Sequence, residues 1–162
     1  RVCLDVGAST GGFTQVLLER AARRVYAVDV GREQMHKSLR ARSEIVSLEC
    51  TDIRSLSPAR LDDAPELVTV DVSFISLKLV LPATTALAKT TAQLIALIKP
   101  QFEAGARVSK MGIVRDPTVH ARVCDDLSKF VTALDWRVLG IIPAPIQGGD
   151  GNTEFLLGAE RG

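Results

Sequence analysis

The chain has 162 residues, 46 % apolar and 24 % charged, which suffices for one domain with a substantial core. Its net charge of +1 is too small for a dedicated nucleic-acid binder, and no apolar run approaches a membrane span, so no stable membrane association is expected. Three widely spaced cysteines (Cys3, Cys50, Cys124) and two histidines (His36, His120) offer neither a disulfide framework nor metal-ligand spacing; buried free thiols, a cytoplasmic location and no metal are expected.

The first apolar run, Val2–Val6, leads into Asp5-Val6-Gly7-Ala8-Ser9-Thr10-Gly11-Gly12-Phe13. A glycine-lined turn from strand to helix lets backbone N–H groups approach a ligand beside the positive end of a helix dipole. Phe13, Val16, Leu17 and Ala21 continue at helical spacing. A second strand, Val25–Asp29, ends in a carboxylate 22 residues after Gly7, where an acid can accept hydrogen bonds from ribose hydroxyls. The turn is not the dinucleotide fingerprint. Ser9 stands where a pyrophosphate needs the second glycine, and Asp5 suits a cationic amino-acid portion better than a phosphate. The turn therefore favours S-adenosyl-L-methionine over a nicotinamide dinucleotide.

Further apolar runs are Ile45–Glu49, Leu67–Val72, Leu94–Lys99, Val138–Pro143 and Glu154–Ala159. Alternation with helical stretches predicts a mostly parallel α/β sheet whose strands are covered on both faces. A helix is expected over Ile75–Lys89, starting late or kinked at Pro82. Another follows Asp116-Pro117, read as its N-cap and first residue, with Val123, Leu127, Phe130, Val131 and Leu134 on its apolar face. Gln101–Asp116 reads as a long irregular loop, and the stretch Lys99–Arg115 carries Lys99, Arg107, Lys110 and Arg115 against Glu103, a local basic patch able to hold a phosphate backbone. The connection Gln147–Asn152 is too short for a helix, so the seventh strand must run antiparallel to the sixth. Residue 1 falls almost on the first strand, so an upstream portion is expected to be missing.

In such a sheet, ligands bind beyond the carboxyl ends of the strands. Candidate cofactor residues are Asp5, Gly7, Ala8, Ser9, Gly11, Gly12 and Phe13 from the turn, then Asp29 and Val30, Asp52 and Ile53, and Asp71. Asp52 is placed to accept from an adenine amino group. Lys99 follows five apolar strand residues, and Pro100 biases it to an extended backbone, so it is aimed from a rigid strand end. A lysine there can take a proton from a hydroxyl or steady an alkoxide; the plainer alternative is a strand-end lysine reaching water. Asp71 is one strand over. Glu154, at the start of the seventh strand, is expected near Lys99, though alone it would read as a solvated acid.

The pieces Cys3–Thr14, Ala27–Gly31, Asp71-Val72-Ser73-Phe74-Ile75-Ser76, Lys99-Pro100-Gln101-Phe102-Glu103, Gly112–Pro117 and Gly151–Phe155 together resemble the TlyA-type haemolysin family of RNA 2′-O-ribose methyltransferases, relatives of the FtsJ-like enzymes. The resemblance runs through the whole chain, and the VSFIS and KPQFE pieces are its most specific parts. It implies a Rossmann-like class I methyltransferase domain over residues 1–162, with seven mostly parallel strands and an antiparallel last one. It also implies S-adenosyl-L-methionine as donor, S-adenosyl-L-homocysteine as product, and ribosomal RNA or ribosomal subunits as partner. Its catalytic Lys-Asp-Lys-Glu set maps onto Asp71, Lys99 and Glu154 for the last three members. The first lysine should precede the first strand, where this chain has none before Lys37. A small S4-type RNA-binding domain is expected in the same missing portion. Lys99 would then act as base or alkoxide stabiliser for in-line transfer to a 2′-hydroxyl, oriented by Asp71 and Glu154. Another methyl acceptor, a non-catalytic cofactor sensor and a membrane-active haemolysin are the alternatives; the absence of an Asn-Pro-Pro-Tyr-like motif after the fourth strand argues against base-amine methylation.

Overall fold

The computed structural model describes residues 1–105, 113–145 and 151–162. Seven strands form one sheet: β1 (Val2–Val6), β2 (Arg24–Val28), β3 (Ile45–Leu48), β4 (Leu67–Val70), β5 (Ala92–Ile98), β6 (Arg137–Pro143) and β7 (Phe155–Arg161). Their order is β3-β2-β1-β4-β5-β7-β6. All neighbours pair in parallel except β7, which runs antiparallel to both β5 and β6. The expected α/β sheet with an antiparallel last strand is what forms. The connection that predicted this lies largely outside the described residues, as do Arg107, Lys110 and Gly112 of the basic loop.

The helices are α1 (Gly12–Glu19), α2 (Lys37–Arg40), α3 (Leu77–Leu87), α4 (Pro100–Glu103) and α5 (Pro117–Ala133). One core packs α3 and α5 on Leu4, Tyr26, Val68, Leu94 and Leu157. The smaller core, on the other face, packs Leu17 of α1 and Leu39 of α2 on Cys3, Val25, Ala27 and Ile45. Asp116 caps α5 as its sequence predicts, accepting from Thr118 N at 2.8 Å with Pro117 in the first turn. No described helix is long and apolar enough to cross a membrane.

Several expectations shift. The strands end earlier, so Asp29, Asp71 and Lys99 each stand just past a ladder rather than within it, and Glu154 stands one residue before β7. Helix α3 starts at Leu77 and carries Pro82 within it. The expected irregular loop opens instead with α4, because Pro100 fits a first helical position. Val16 is exposed and Thr14 is buried, so the inner ridge of α1 differs from the one its apolar residues suggest. Cys50 is exposed; only Cys3 is fully buried among the thiols.

The largest correction concerns coverage. Ala92, Leu94, Ala96 and Ile98 of β5 are buried towards α3 and α5, whereas Gln93 and Ile95 are exposed, as is Ile142 of edge strand β6. No described helix covers that other face of β5, β7 and β6. Apart from the Gln93, Glu160 and Arg137 row, that face carries apolar residues such as Ile95, Leu97, Leu156 and Ile142, which is why the strands read as doubly covered.

Candidate active site

The chain order reverses between β1 and β4, so the loops that follow them part and leave a crevice at the carboxyl edge of the sheet. A cleft of about 490 Å³ lies there, a size suited to a nucleoside-sized ligand. Of the turn residues, Gly7 and Ser9 line it, and across it lie Asp29, Val30, Asp52, Ile53 and Asp71. The other candidates point elsewhere. Gly11 and Gly12 line a separate groove between α1 and α2, Ala8 is buried, and Phe13 is half-buried.

Gly7 brings the turn after β1 against the backbone that follows β4. Its φ is +78°, and a Cβ there would lie 1.9 Å from the Asp71 carbonyl oxygen. Its N–H donates to Val28 O at 2.8 Å, tying the turn to β2. The Asp29 carboxylate accepts from Ser9 N and from Gly31 N, each at 2.7 Å. Two backbone donors thus hold the acid in place, while its remaining lone pairs stay available to the cleft.

Asp52 behaves differently from the sequence picture of a lone adenine acceptor. Both its oxygens accept from Arg54, the closest contact being 2.7 Å to Nη2, and Oδ1 also accepts from Arg54 N at 2.9 Å. Arg54 holds the Asp52 carboxyl below its usual range through these bonds. The guanidinium lines the cleft beside its partner. Sequence reasoning passed over Arg54, although Asp-x-Arg at a helical N-cap invites such a pair.

Asp5 is a correction. It is fully buried and does not line the cleft. Oδ2 accepts from Thr14 Oγ1 at 2.6 Å and Oδ1 from Thr69 Oγ1 at 3.0 Å, so it fastens α1 to the centre of the sheet. Burial pushes its carboxyl up from 3.8 to about 6, with the charge of Asp71 adding to the rise and the two threonines opposing it. The folded state therefore holds this proton more tightly than the unfolded chain does. The stability involved is fully present below the unfolded value of 3.8, and is lost as pH rises through about 6. It is worth about 3 kcal/mol. Unfolding free energies from pH 7 down to pH 4 should show the wild type gaining most of that, about 2 kcal/mol, relative to Asp5→Asn; a constant difference would mean that Asp5 titrates normally.

The structure brings Asp71 and Lys99 together. Lys99 Nζ lies 2.6 Å from Asp71 Oδ1 and donates to Ser73 Oγ at 2.9 Å, with its side chain only 13 % exposed. Glu154 is buried and accepts from Gln101 Nε2 at 3.2 Å. It forms no ion pair with Lys99 within 4.0 Å. Gln101 stands at the first turn after Lys99, so the two acids flank the lysine's strand end without both touching its nitrogen. Ser73, Gln101 and the exposed Phe74 were not singled out from sequence, though all three lie within the stretches that follow β4 and β5. Among the described residues no cluster of His, Cys, Asp or Glu is arranged to hold a metal.

The family model of FtsJ-like methyltransferases matches residues 1–161. The chain is 46 % identical over 159 residues to a Bacillus subtilis protein named as a candidate rRNA methyltransferase, YqxC, covering 97 % of this chain and 57 % of that one. It is 44 % identical over 158 residues to the 16S/23S rRNA (cytidine-2′-O)-methyltransferase TlyA of Mycobacterium tuberculosis, covering 97 % of this chain and 59 % of that protein. A solved structure of a candidate hemolysin from Lactococcus lactis superimposes with a TM-score of 0.97 at 41 % identity, covering 100 % of this chain and 78 % of that one. The chain thus spans less than two thirds of the length of these two curated relatives.

Proposed function

The chain belongs to the FtsJ-like methyltransferase family, and on that premise we propose that it transfers a methyl group from S-adenosyl-L-methionine to a ribose 2′-hydroxyl of ribosomal RNA. The observation that carries this reading is the Lys99 ammonium held 2.6 Å from Asp71 at the ends of two neighbouring strands, beside a cleft lined by Asp29.

The cleft fits the donor by its chemistry. Asp29 is pre-ordered to accept from two ribose hydroxyls, and Asp52 keeps lone pairs for an adenine amino group. Apolar side chains of Val30, Ile53, Val72 and Ile75 line the space between, suited to a flat ring. Asp71 lines that end of the cleft, with its charge engaged by the Lys99 ammonium. When bound, the donor supplies an electrophilic methyl on a sulfonium, and its departure leaves S-adenosyl-L-homocysteine.

Lys99 receives the 2′-oxygen. Asp71 and Ser73 fix the direction of its ammonium, so the hydrogen bond it offers strengthens as negative charge grows on that oxygen. The oxygen–carbon bond forms while the carbon–sulfur bond breaks, and the sulfur keeps the electron pair. The hydroxyl proton leaves through the Lys99–Asp71 pair to water. Glu154 acts from the far side of Gln101, which orients its carboxylate. Most of the rate comes from holding oxygen and methyl in line.

Phe74 fits the acceptor side. The residue is 89 % exposed, and its φ of +62° is a backbone state that non-glycine residues seldom adopt. Holding an aromatic ring in water at the expense of backbone strain suits a stacking platform for a nucleotide base. In the full-length protein, Phe74→Ala should raise KM for ribosomal subunits by about ten- to a hundredfold while leaving donor affinity within about twofold. An unchanged KM would assign the ring to packing against Phe102.

The reading itself is tested with methyl-labelled donor, full-length protein and purified ribosomal subunits. After digestion to nucleosides, the label should run with a 2′-O-methylnucleoside. Label on a base, or none transferred, overturns it.

A further inference from the structure

We propose that Glu103 is a positioning residue, a clasp that fixes the loop carrying Asp71, Ser73 and Phe74 against the strand end carrying Lys99. This rests on the activity proposed above and assigns to it a residue that does not touch the reacting atoms.

The two loops leave adjacent parallel strands, β4 and β5, at the same sheet edge. Strand pairing sets their starting points but not their later course. The loop after β4 runs from Asp71 to Ser76 before α3 begins, and at Phe74 it takes the left-handed φ of +62°. Something must hold that strained bend in place. Near its start Lys99 contacts Asp71 and Ser73. At its far end the Glu103 carboxylate closes the structure: Oε2 accepts from Ser76 Oγ at 2.5 Å and Oε1 from Leu77 N at 2.8 Å. Leu77 opens α3, so this anion sits where unpaired N–H groups and the helix dipole favour it. Ser76 serves twice, since its Oγ also accepts from Lys78 N at 3.1 Å. Between the two ends the Phe102 ring meets the Phe74 ring, with centroids 4.9 Å apart and planes tilted by 51°.

Glu103 itself is held firmly relative to Lys99. Pro100 starts α4, and the bonds Phe102 N to Lys99 O and Ala104 N to Pro100 O, each 2.9 Å, close its single turn. Lys99 and Glu103 are therefore two ends of one rigid piece, and both grip the same neighbouring loop. Burial raises the Glu103 carboxyl above its usual range, against the pull of the two donors and of Lys78. A half-buried acid is tolerated here because both oxygens are bonded. Glu103 does not line the cleft, so its effect should fall on the acceptor side and on turnover.

The test uses the full-length protein and two readouts. Glu103→Leu removes the acceptors for both Leu77 N and Ser76 Oγ at little change of volume. Amide hydrogen exchange should accelerate at Leu77 and across Ser73–Ser76, and kcat should fall by roughly ten- to a hundredfold, with donor affinity unchanged by calorimetry. Adding Ser76→Ala to that variant should cost clearly less than Ser76→Ala does in the wild type, because both remove one contact. Unchanged exchange, an unchanged kcat despite a lowered Tm, or losses that simply multiply would each overturn the clasp. A wild-type protein that transfers no methyl group defeats the activity reading instead; the exchange data then decide the clasp alone.

Discussion

Lys99→Ala should lower methyl transfer by about three orders of magnitude while the donor binds with nearly wild-type affinity. The separation follows from where Lys99 sits. Its ammonium engages Asp71 and Ser73, at the β5 side of the crevice, whereas Asp29 and Asp52, proposed for the ribose and the adenine, line the cleft after β2 and β3. On the proposed reading, removing it deletes the ammonium offered to the acceptor oxygen and leaves Asp29 and Asp52 in place. The lost aliphatic stem lies at a strand end rather than in either core, so the domain should keep most of its stability. Single-turnover rates and donor calorimetry on the same full-length preparation check this. Parallel loss of both would show that Lys99 holds the fold of the crevice and not its chemistry.

The second large effect concerns a residue with no side chain. Gly7→Ala should destabilise the domain by about 4 kcal/mol or more, enough to abolish most soluble expression. Two causes add. The φ of +78° disfavours any side chain, and the new Cβ would meet a backbone oxygen, Asp71 O, at 1.9 Å. Backbone cannot swing aside as a side-chain tip can. Relief requires the ends of β1 and β4 to separate, which moves Asp71 away from Lys99. Gly12→Ala is the control. Nothing lies within 4 Å of a Cβ there, and alanine favours the first turn of α1. Thermal melts of the two variants should differ widely; equal melts would show that the turn relaxes where the structure has it rigid.

The pairing of Asp71 with Lys99 was legible because it needs only two facts: adjacent parallel strands, and polar residues at their carboxyl ends. The antiparallel β7 was legible for a similar reason, since a short connection leaves no other geometry. Asp5 misled because its partners come from elements far apart in the chain. A hint was present: Thr69 is a polar residue inside the apolar run of β4, directly opposite Asp5 in the ladder. Two polar groups at paired interior positions bond each other more readily than they reach a ligand. The Glu103 contact was beyond sequence reasoning, because α4 was read as irregular loop and its turn decides where that carboxylate points. The uncovered face was hidden by composition, for Ile95, Leu97 and Leu156 look like core whether or not anything covers them.

The placement of β7 has a consequence for how the domain assembles on the ribosome. Edge strand β6 pairs with β7, and the outer side of β5 pairs with β7 as well. The first five strands can zip together as they emerge, and β6 and β7, consecutive and antiparallel, can pair with each other, but β5 keeps an open edge until β7 docks on it. Non-local closure of this kind is slow. Until that docking Glu154, one residue before β7, stands away from Gln101, so the site is completed last.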